Sequence, residues 1–152
     1  MGLEQEIKQT SFRNPQHKAA INIIYTFAWM RDRTKAIFDA EDITPQQFNI
    51  LRILRGSFPT PLSTLQIRER MLEKMSDTSR IVDRLIAKGL VKKLTCKDDR
   101  RLVDVIISDK GKKLLERLDA KQDEIDAVVG NLSEKDANIL SDLLDKIREG
   151  KE

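Results

Sequence analysis

The chain has 152 residues, of which 39% are hydrophobic and 35% charged, and its formal net charge is +3. This length supports one domain with a substantial core, and the low aromatic content of 5% favours amphipathic helices over a thick sheet. A single cysteine excludes an intrachain disulfide. Without a long apolar run or a secretory leader, the composition predicts a soluble, cytoplasmic protein with no membrane partner.

The positive charge is concentrated in the middle of the chain. Residues 44–111 carry fourteen basic and eight acidic groups, a net charge of +6. Residues 1–43 carry six of each, and residues 112–152 carry eight basic and eleven acidic groups, a net charge of −3. A basic segment in a nearly neutral chain favours a surface that faces a polyanion, although such an asymmetry also arises by chance.

The first predicted helix extends from Asn14 to about Ala40. Its apolar residues recur at spacings of three and four, as one face of a helix requires: Ile23, Ile24, Phe27, Met30, Ile37 and Phe38. A second helix begins in the segment ITPQQ, where Thr44 is the predicted N-cap and Gln47 completes a capping box. It is predicted to end near Gly56, before a loop with the sequence SFPTP.

A helix-turn-helix is predicted after this loop. Ser63 is expected to cap a short helix that reaches about Leu72, and Ser76 to cap another that ends at Lys88-Gly89. One face of the second helix is apolar, with Ile81, Val82, Leu85 and Ile86. The opposite face is polar or small, with Ser76, Ser79, Arg80, Asp83, Arg84 and Ala87. The helix can therefore pack through one face and present the other.

Two β-like segments, Leu90 to Thr95 and Leu102 to Ile107, form a predicted hairpin. The intervening CKDDRR carries two acids and two arginines, where Asn-Gly would turn more easily. Ser108 is predicted to cap a long helix that ends at Gly130. Ser133 caps the last predicted helix, whose apolar residues have the spacing of a helix that lies along another helix: Ala137, Leu140, Leu144 and Ile147.

This order of elements predicts a mainly α (α+β) fold, a winged helix-turn-helix with N- and C-terminal dimerisation helices. Residues 44–111 form the predicted DNA-binding lobe of a single domain, 1–152, and residues 10–43 and 112–152 the dimerisation helices. The shape of this fold suits duplex DNA, because a helix fits the major groove and a slender hairpin reaches the minor groove. Guanidinium groups are favoured where the minor groove is narrow.

The region from Leu62 to Gly111 resembles the DNA-binding domain of the MarR family of bacterial transcription regulators. The resemblance lies in SRIVDRLIAKGLVKKL and DDRRLVDVIISDKG. The family's wing signature is matched by Asp99-Arg100-Arg101, Ser108 and Gly111, with Ser108 where threonine is usual. Lys93 stands where arginine is frequent, and Asp77-Thr78 is atypical at the start of the recognition helix.

The resemblance implies a homodimeric repressor that binds double-stranded DNA at a near-palindromic operator and is released by a small-molecule effector. Arg100 or Arg101 would enter the minor groove or bind its edge phosphates, with Asp99 orienting an arginine. The alternative for these charges is an ion pair that only shapes the turn. The implied DNA-binding residues are Ser76, Ser79, Arg80, Arg84, Lys92, Lys97, Asp99, Arg100 and Arg101. For Arg80 the alternative is an ion pair with a neighbouring acid such as Asp83.

Tyr25, Trp29 and Phe48 could line an effector pocket, as implied by the resemblance, or could be core or dimer packing. Cys96 is either a small filler at a strand end or a redox-responsive thiol, whose pKa nearby cations would lower. A winged-helix module that binds protein instead of DNA is the other alternative. One histidine, His17, and one cysteine make an enzyme or a metal site improbable, and no cofactor is expected.

Overall fold

A computed structural model of the chain describes residues 1–95 and 103–150. The helices are α1 (Leu3–Glu6), α2 (Pro15–Ala40), α3 (Pro45–Ser57), α4 (Thr64–Arg70), α5 (Thr78–Ala87), α6 (Asp109–Asp119), α7 (Gln122–Asp126) and α8 (Glu134–Arg148). The strands are β1 (Leu62–Ser63), β2 (Val91–Thr95) and β3 (Val103–Ile107). In the described residues the strands form an antiparallel sheet in the order β1-β3-β2. This arrangement confirms the predicted mainly α fold with a winged helix-turn-helix.

The described chain divides into two compact units. One contains Met1–Ala36 together with Ile125–Glu152, and the other contains Ile37–Glu124. The second unit holds α3 to α6 and the sheet around a core of fully buried side chains: Ile50, Leu51, Leu54, Ile67, Met71, Leu85, Val105, Leu115 and Leu118. Each helix of the helix-turn-helix contributes to this core, so apolar burial fixes the position of α5.

The predicted N-caps of α3, α4, α6 and α8 are confirmed. In each, the side-chain hydroxyl accepts a backbone N–H from the residue three positions later. The Thr44 hydroxyl accepts the N–H of Gln47 at 3.1 Å, and the Gln47 side chain accepts the N–H of Thr44 at 3.1 Å. Ser63 forms the same reciprocal box with Gln66. Ser108 and Ser133 accept from backbone N–H groups in the first turns of α6 and α8. Each cap satisfies a donor that the helix itself cannot pair.

The prediction that Ser76 caps the recognition helix is wrong. The N-cap is Asp77, whose carboxylate accepts the N–H of Arg80 at 3.3 Å. The preceding helix also ends earlier than predicted, at Arg70 instead of about Leu72. Met71 takes an extended conformation with φ −68° and ψ 146°, and its side chain is 1% exposed. The chain therefore leaves the helical conformation at Met71, and the Met71 side chain packs into the core.

The predicted long helix from Ser108 to Gly130 is broken. α6 ends at Asp119, and α7 and a 3₁₀ turn at Ala127–Val129 follow. The buried leucines of α6 end at Leu118, and the next large apolar residue is Ile125. Residues 119–124 therefore have no apolar face that packing could hold in a continuous helix. Two short elements that the sequence pattern did not predict, α1 and β1, complete the described fold.

The beginning of α6 packs closely against the turn between α5 and β2. The Ser108 N–H donates to the carbonyl of Leu90 at 3.1 Å, and the Ser108 hydroxyl donates to the carbonyl of Gly89 at 2.7 Å. The same hydroxyl accepts the N–H of Gly111 at 3.1 Å. A Cβ at position 111 would lie 2.3 Å from the Leu90 carbonyl oxygen. Glycine is therefore required for this close approach.

The unit that contains Met1–Ala36 and Ile125–Glu152 leaves much apolar surface exposed. Leu3 is buried, and α1 is held against α2 by a Lys18–Glu4 ion pair and a Tyr25–Glu6 hydrogen bond of 2.8 Å. The exposed apolar side chains on α2 are Ile23, Ile24, Phe27 and Trp29, and those on α8 are Ile139, Leu140, Leu143 and Ile147. None of the helices in residues 1–95 and 103–150 has the length and apolar character that a membrane crossing requires.

Candidate nucleic-acid interface

Helix α5 has one buried and one exposed face. Thr78, Val82 and Leu85 are buried, at positions that follow the helical repeat. Three of the predicted DNA-binding residues lie on the exposed face: Ser79, Arg80 and Arg84. The helix is therefore anchored through its apolar side and presents hydroxyl and guanidinium donors outward, as the sequence predicted.

The N-terminal end of α5 is organised by Asp77. Its carboxylate caps the helix and lies 3.7 Å from the Nε of Arg80. The ion pair predicted as an alternative for Arg80 thus forms with Asp77 and not with Asp83. The Arg80 side chain remains 72% exposed, so this pairing leaves it accessible to a ligand. Sequence reasoning missed Asp77, although an acid three residues before Arg80 carried the signal of an N-cap.

Ser76 lies in the loop before α5 and not in the helix. Its hydroxyl donates to the carboxylate of Glu73 at 3.3 Å, and the side-chain amide of Gln46 donates to the same carboxylate at 3.2 Å. Ser76 and Arg84 also line a concavity of about 260 Å³, together with Thr44, Gln46, Gln47, Asp77 and Ile81. The structure therefore brings Ser76 and Arg84 to the same side of the lobe, beside the first turn of α3.

The first strand of the hairpin carries a second group of cations. Val91 is buried at the start of β2, and Lys92 and Lys93 are exposed immediately after it. β2 pairs with β3 throughout, with Lys92 opposite Ile106. The predicted wing-tip residues lie outside the described residues, and so does the proposed redox thiol; they are Cys96, Lys97, Asp99, Arg100 and Arg101. Their roles remain predictions.

The C-terminal end of α5 is fixed by lysines from two directions. The Lys88 ammonium donates to the carbonyl of Asp42 and lies 3.6 Å from the Asp42 carboxylate. The Lys110 ammonium donates to the carbonyl of Lys88 at 2.8 Å. Cations near a helix C-terminus are favoured by the helix dipole. Contacts therefore hold α5 at its C-terminal end as well as at its N-cap.

Two ion pairs fasten α6 to the elements that carry the site. Arg55 on α3 donates to both carboxylate oxygens of Asp119, at 2.7 and 3.0 Å. Arg117 pairs with Glu41, its closest N···O distance being 2.7 Å. The hydrogen bond from the guanidinium lowers the pKa of each carboxyl below its ordinary value. Both pairs therefore remain ionised at neutral pH and connect α6 to α3 and to the turn that precedes α3.

The residues predicted to line an effector pocket each have local contacts. Tyr25 donates to Glu6, and this hydrogen bond raises the pKa of the phenol. The guanidinium of Arg33 lies 4.9 Å from the centroid of the Trp29 ring. Phe48 packs against Phe38, with ring centroids 5.0 Å apart. The effector role of these residues stays a prediction. Among the described residues, no group of three or more His, Cys, Asp or Glu side chains could hold a metal ion.

Comparisons with known proteins agree with this geometry. The model of the MarR family matches residues 43–103, which include α3 to β2. A MarR transcription factor from Planctomyces limnophilus is 30% identical, and the match covers 89% of this chain and 98% of that one with a TM-score of 0.68. No curated protein matches the chain at a significant level.

More distant solved structures share the fold. A mutant MarR from E. coli complexed with operator DNA is 22% identical, covers 97% of this chain and 99% of its own, and has a TM-score of 0.76. Bordetella bronchiseptica BpsR, whose DNA binding is regulated by 6-hydroxynicotinic acid, is 19% identical. That match covers 87% of this chain and 99% of BpsR, with a TM-score of 0.73.

Proposed function

We propose that this chain, which belongs to the MarR family of transcription regulators, binds a specific duplex DNA operator as a homodimer and represses transcription. The observation that carries the proposal is the exposed face of α5, where Ser79, Arg80 and Arg84 project from a helix anchored by a buried face. Hydroxyl and guanidinium groups are the donors that read base edges and bind phosphates. Selection of bound sequences from a random duplex pool tests the proposal, since a regulator enriches one motif.

Within this function α5 enters the major groove through its N-terminal turns. In this proposal Arg80 donates to a guanine edge, and Arg84, one turn further along α5, donates to the flanking backbone. The exposed Lys92 suits a phosphate, because a flexible ammonium has no planar geometry to match to a base. Arg100 and Arg101 are assigned to the minor groove beyond the hairpin, with Asp99 orienting one of them and Lys97 contacting phosphate.

Arg80 and Lys92 are expected to contribute differently to recognition. Arg80→Ala should weaken binding to the selected operator by roughly 1–3 kcal/mol and binding to random duplex by less, because a base contact is lost. Lys92→Ala should weaken both by a similar factor, because a phosphate contact carries no sequence information. Competition between operator and random duplex for each variant measures the difference. Equal losses for Arg80→Ala on both duplexes would make it a phosphate contact.

The homodimer is supported by the exposed apolar faces of α2 and α8. No residue of α8 is buried, and Leu143 on this helix is 54% exposed. A second copy of the chain would remove these side chains from water, which is the main driving force of association. We therefore assign the exposed apolar faces of α2 and α8, which lie within residues 10–43 and 112–152, to dimerisation, and residues 44–111 to DNA binding. Two-fold symmetry then requires a near-palindromic operator with half-sites about one helical turn apart.

Disruption of the α8 face should produce a monomer. We expect the double variant Leu140→Asp, Leu143→Asp to sediment as a monomer and to lose operator binding, because two carboxylates would be buried in the interface. Asp142→Ala on the same helix is the matched control and should remain dimeric. Sedimentation velocity with and without operator provides both readouts. A monomeric double variant that binds operator as tightly as the parent protein would contradict the dimer.

Release by a small molecule is the remaining part of the proposal. It is supported by the likeness to BpsR and by the aromatic side chains Tyr25, Trp29 and Phe48. Trp29 is the single tryptophan, so its fluorescence reports a ligand directly. A small aromatic acid that changes this fluorescence and dissociates the operator complex would support an effector. A ligand that binds without affecting the operator complex would not.

A further inference from the structure

We propose that Leu72 and Met75, in the loop between α4 and α5, contact the 5-methyl groups of thymine in the operator. This inference rests on the proposed DNA binding and adds a specificity element outside the recognition helix. The two side chains are 87% and 91% exposed, although hydrogen bonds hold the loop that carries them between two helices of the core. Large apolar side chains are usually buried, so two that are almost fully exposed within four residues are candidates for a contact surface.

The loop is held by hydrogen bonds at several points. The N–H of Leu72 donates to the side chain of Asn49 at 2.9 Å, and the Arg68 guanidinium donates to the carbonyl of Lys74 at 3.3 Å. The N–H of Ser76 donates to the carbonyl of Glu73 at 3.2 Å. Leu72 and Met75 therefore project from a backbone that hydrogen bonds already hold, so binding does not need to order the loop backbone.

The anchor beneath the loop connects it to α5. Met71 is buried, and the hydroxyl of Thr78 in the first turn of α5 donates to its sulfur at 3.4 Å. Met75 precedes the N-cap Asp77 by only two residues. A ligand that meets the N-terminal turn of α5 therefore also meets this loop. Because the proposed ligand of that turn is the major groove, the loop lies at the edge of the same groove.

The chemistry of the loop favours thymine over other groove edges. Thymine alone among the four bases presents a methyl group in the major groove, and apolar side chains are its usual contact. The segment around the loop also carries cations that can bind the duplex backbone, interspersed with the acids Glu69, Glu73 and Asp77: Arg68, Arg70, Lys74 and Arg80. Apolar side chains in a segment that also carries cations thus suit a groove edge where a methyl group lies close to phosphates.

The test replaces each thymine of the selected operator by deoxyuridine, which removes only the methyl group. Loss of one contacted methyl should weaken binding by about fourfold, the usual effect of one buried CH₂-sized group. In Met75→Gln and Leu72→Asn, which keep the side-chain size, binding to the thymine operator should fall by a similar factor. The uracil replacement at the contacted position should then have no further effect. Met75→Leu should keep the sensitivity of the parent protein.

The outcomes separate this inference from the proposed function. A protein that enriches no duplex motif would end the proposed function itself. A protein that enriches a motif but binds uracil and thymine operators equally would overturn the inference alone. The inference would also be overturned, for the residue concerned, if the uracil effect persisted unchanged in its polar variant. Because both side chains are exposed, circular dichroism melts of the variants should match the parent protein.

Discussion

Substitution of Gly111 by alanine is expected to reduce the free energy of unfolding by about 3 kcal/mol, the upper end of the usual cost of overpacking. The added Cβ would lie 2.3 Å from the carbonyl oxygen of Leu90 and 2.8 Å from Cγ1 of Ile107. The Leu90 oxygen belongs to the backbone and also accepts the N–H of Ser108, so it cannot move without breaking that bond. Urea denaturation of both proteins measures the change.

Gly56→Ala is the matched control for this prediction. Gly56 lies in α3, and a Cβ there would have no neighbour within 4 Å. Alanine should therefore stabilise the protein slightly, by up to about 1 kcal/mol, because it loses less backbone entropy on folding than glycine. Equal stability of Gly111→Ala and the parent protein would mean that α6 does not approach the α5–β2 turn as described. Loss of stability in both variants would point to a general effect of removing glycine.

The affinity for operator DNA is expected to fall about 1,000-fold between 50 and 200 mM salt. A homodimer in which each protomer neutralises three phosphates would release about six counterions. This number sets the slope of the logarithm of the affinity against the logarithm of the salt concentration. The residues proposed for these contacts include Arg84, Lys92 and Lys97. Titration of labelled duplex at four or five salt concentrations gives the slope directly. A flat response would exclude a duplex as the partner and favour the protein-interaction alternative.

The wing arginines can be tested by the same measurement. Arg100→Ala and Arg101→Ala should each weaken binding, and at least one should reduce the slope by about one for each protomer. Glu149→Ala is a suitable control, because it changes one exposed charge on the segment after α8. If neither arginine variant changes affinity or slope, the Asp99-Arg100-Arg101 tip only shapes the turn.

Most of the local structure was predictable from the sequence, since the interactions that determine it are local. Thr44, Ser63, Ser108 and Ser133 cap helices through N–H groups three residues away, so short segments carry the information. The two faces of α5 follow from the helical repeat alone, and they identified Ser79, Arg80 and Arg84 as exposed. The resemblance in the wing segment then indicated the family.

The remaining features depend on contacts between residues distant in the sequence. Arg55 pairs with Asp119 at the end of α6, and the two residues are 64 positions apart in the sequence. The requirement for glycine at 111 comes from the Leu90 carbonyl, which is 21 residues away in the sequence. The sequence does not predict the exposure of Leu72 and Met75 either. Their apolar character predicts burial, and only the packing of Met71 and the hydrogen bonds of the loop turn them outward.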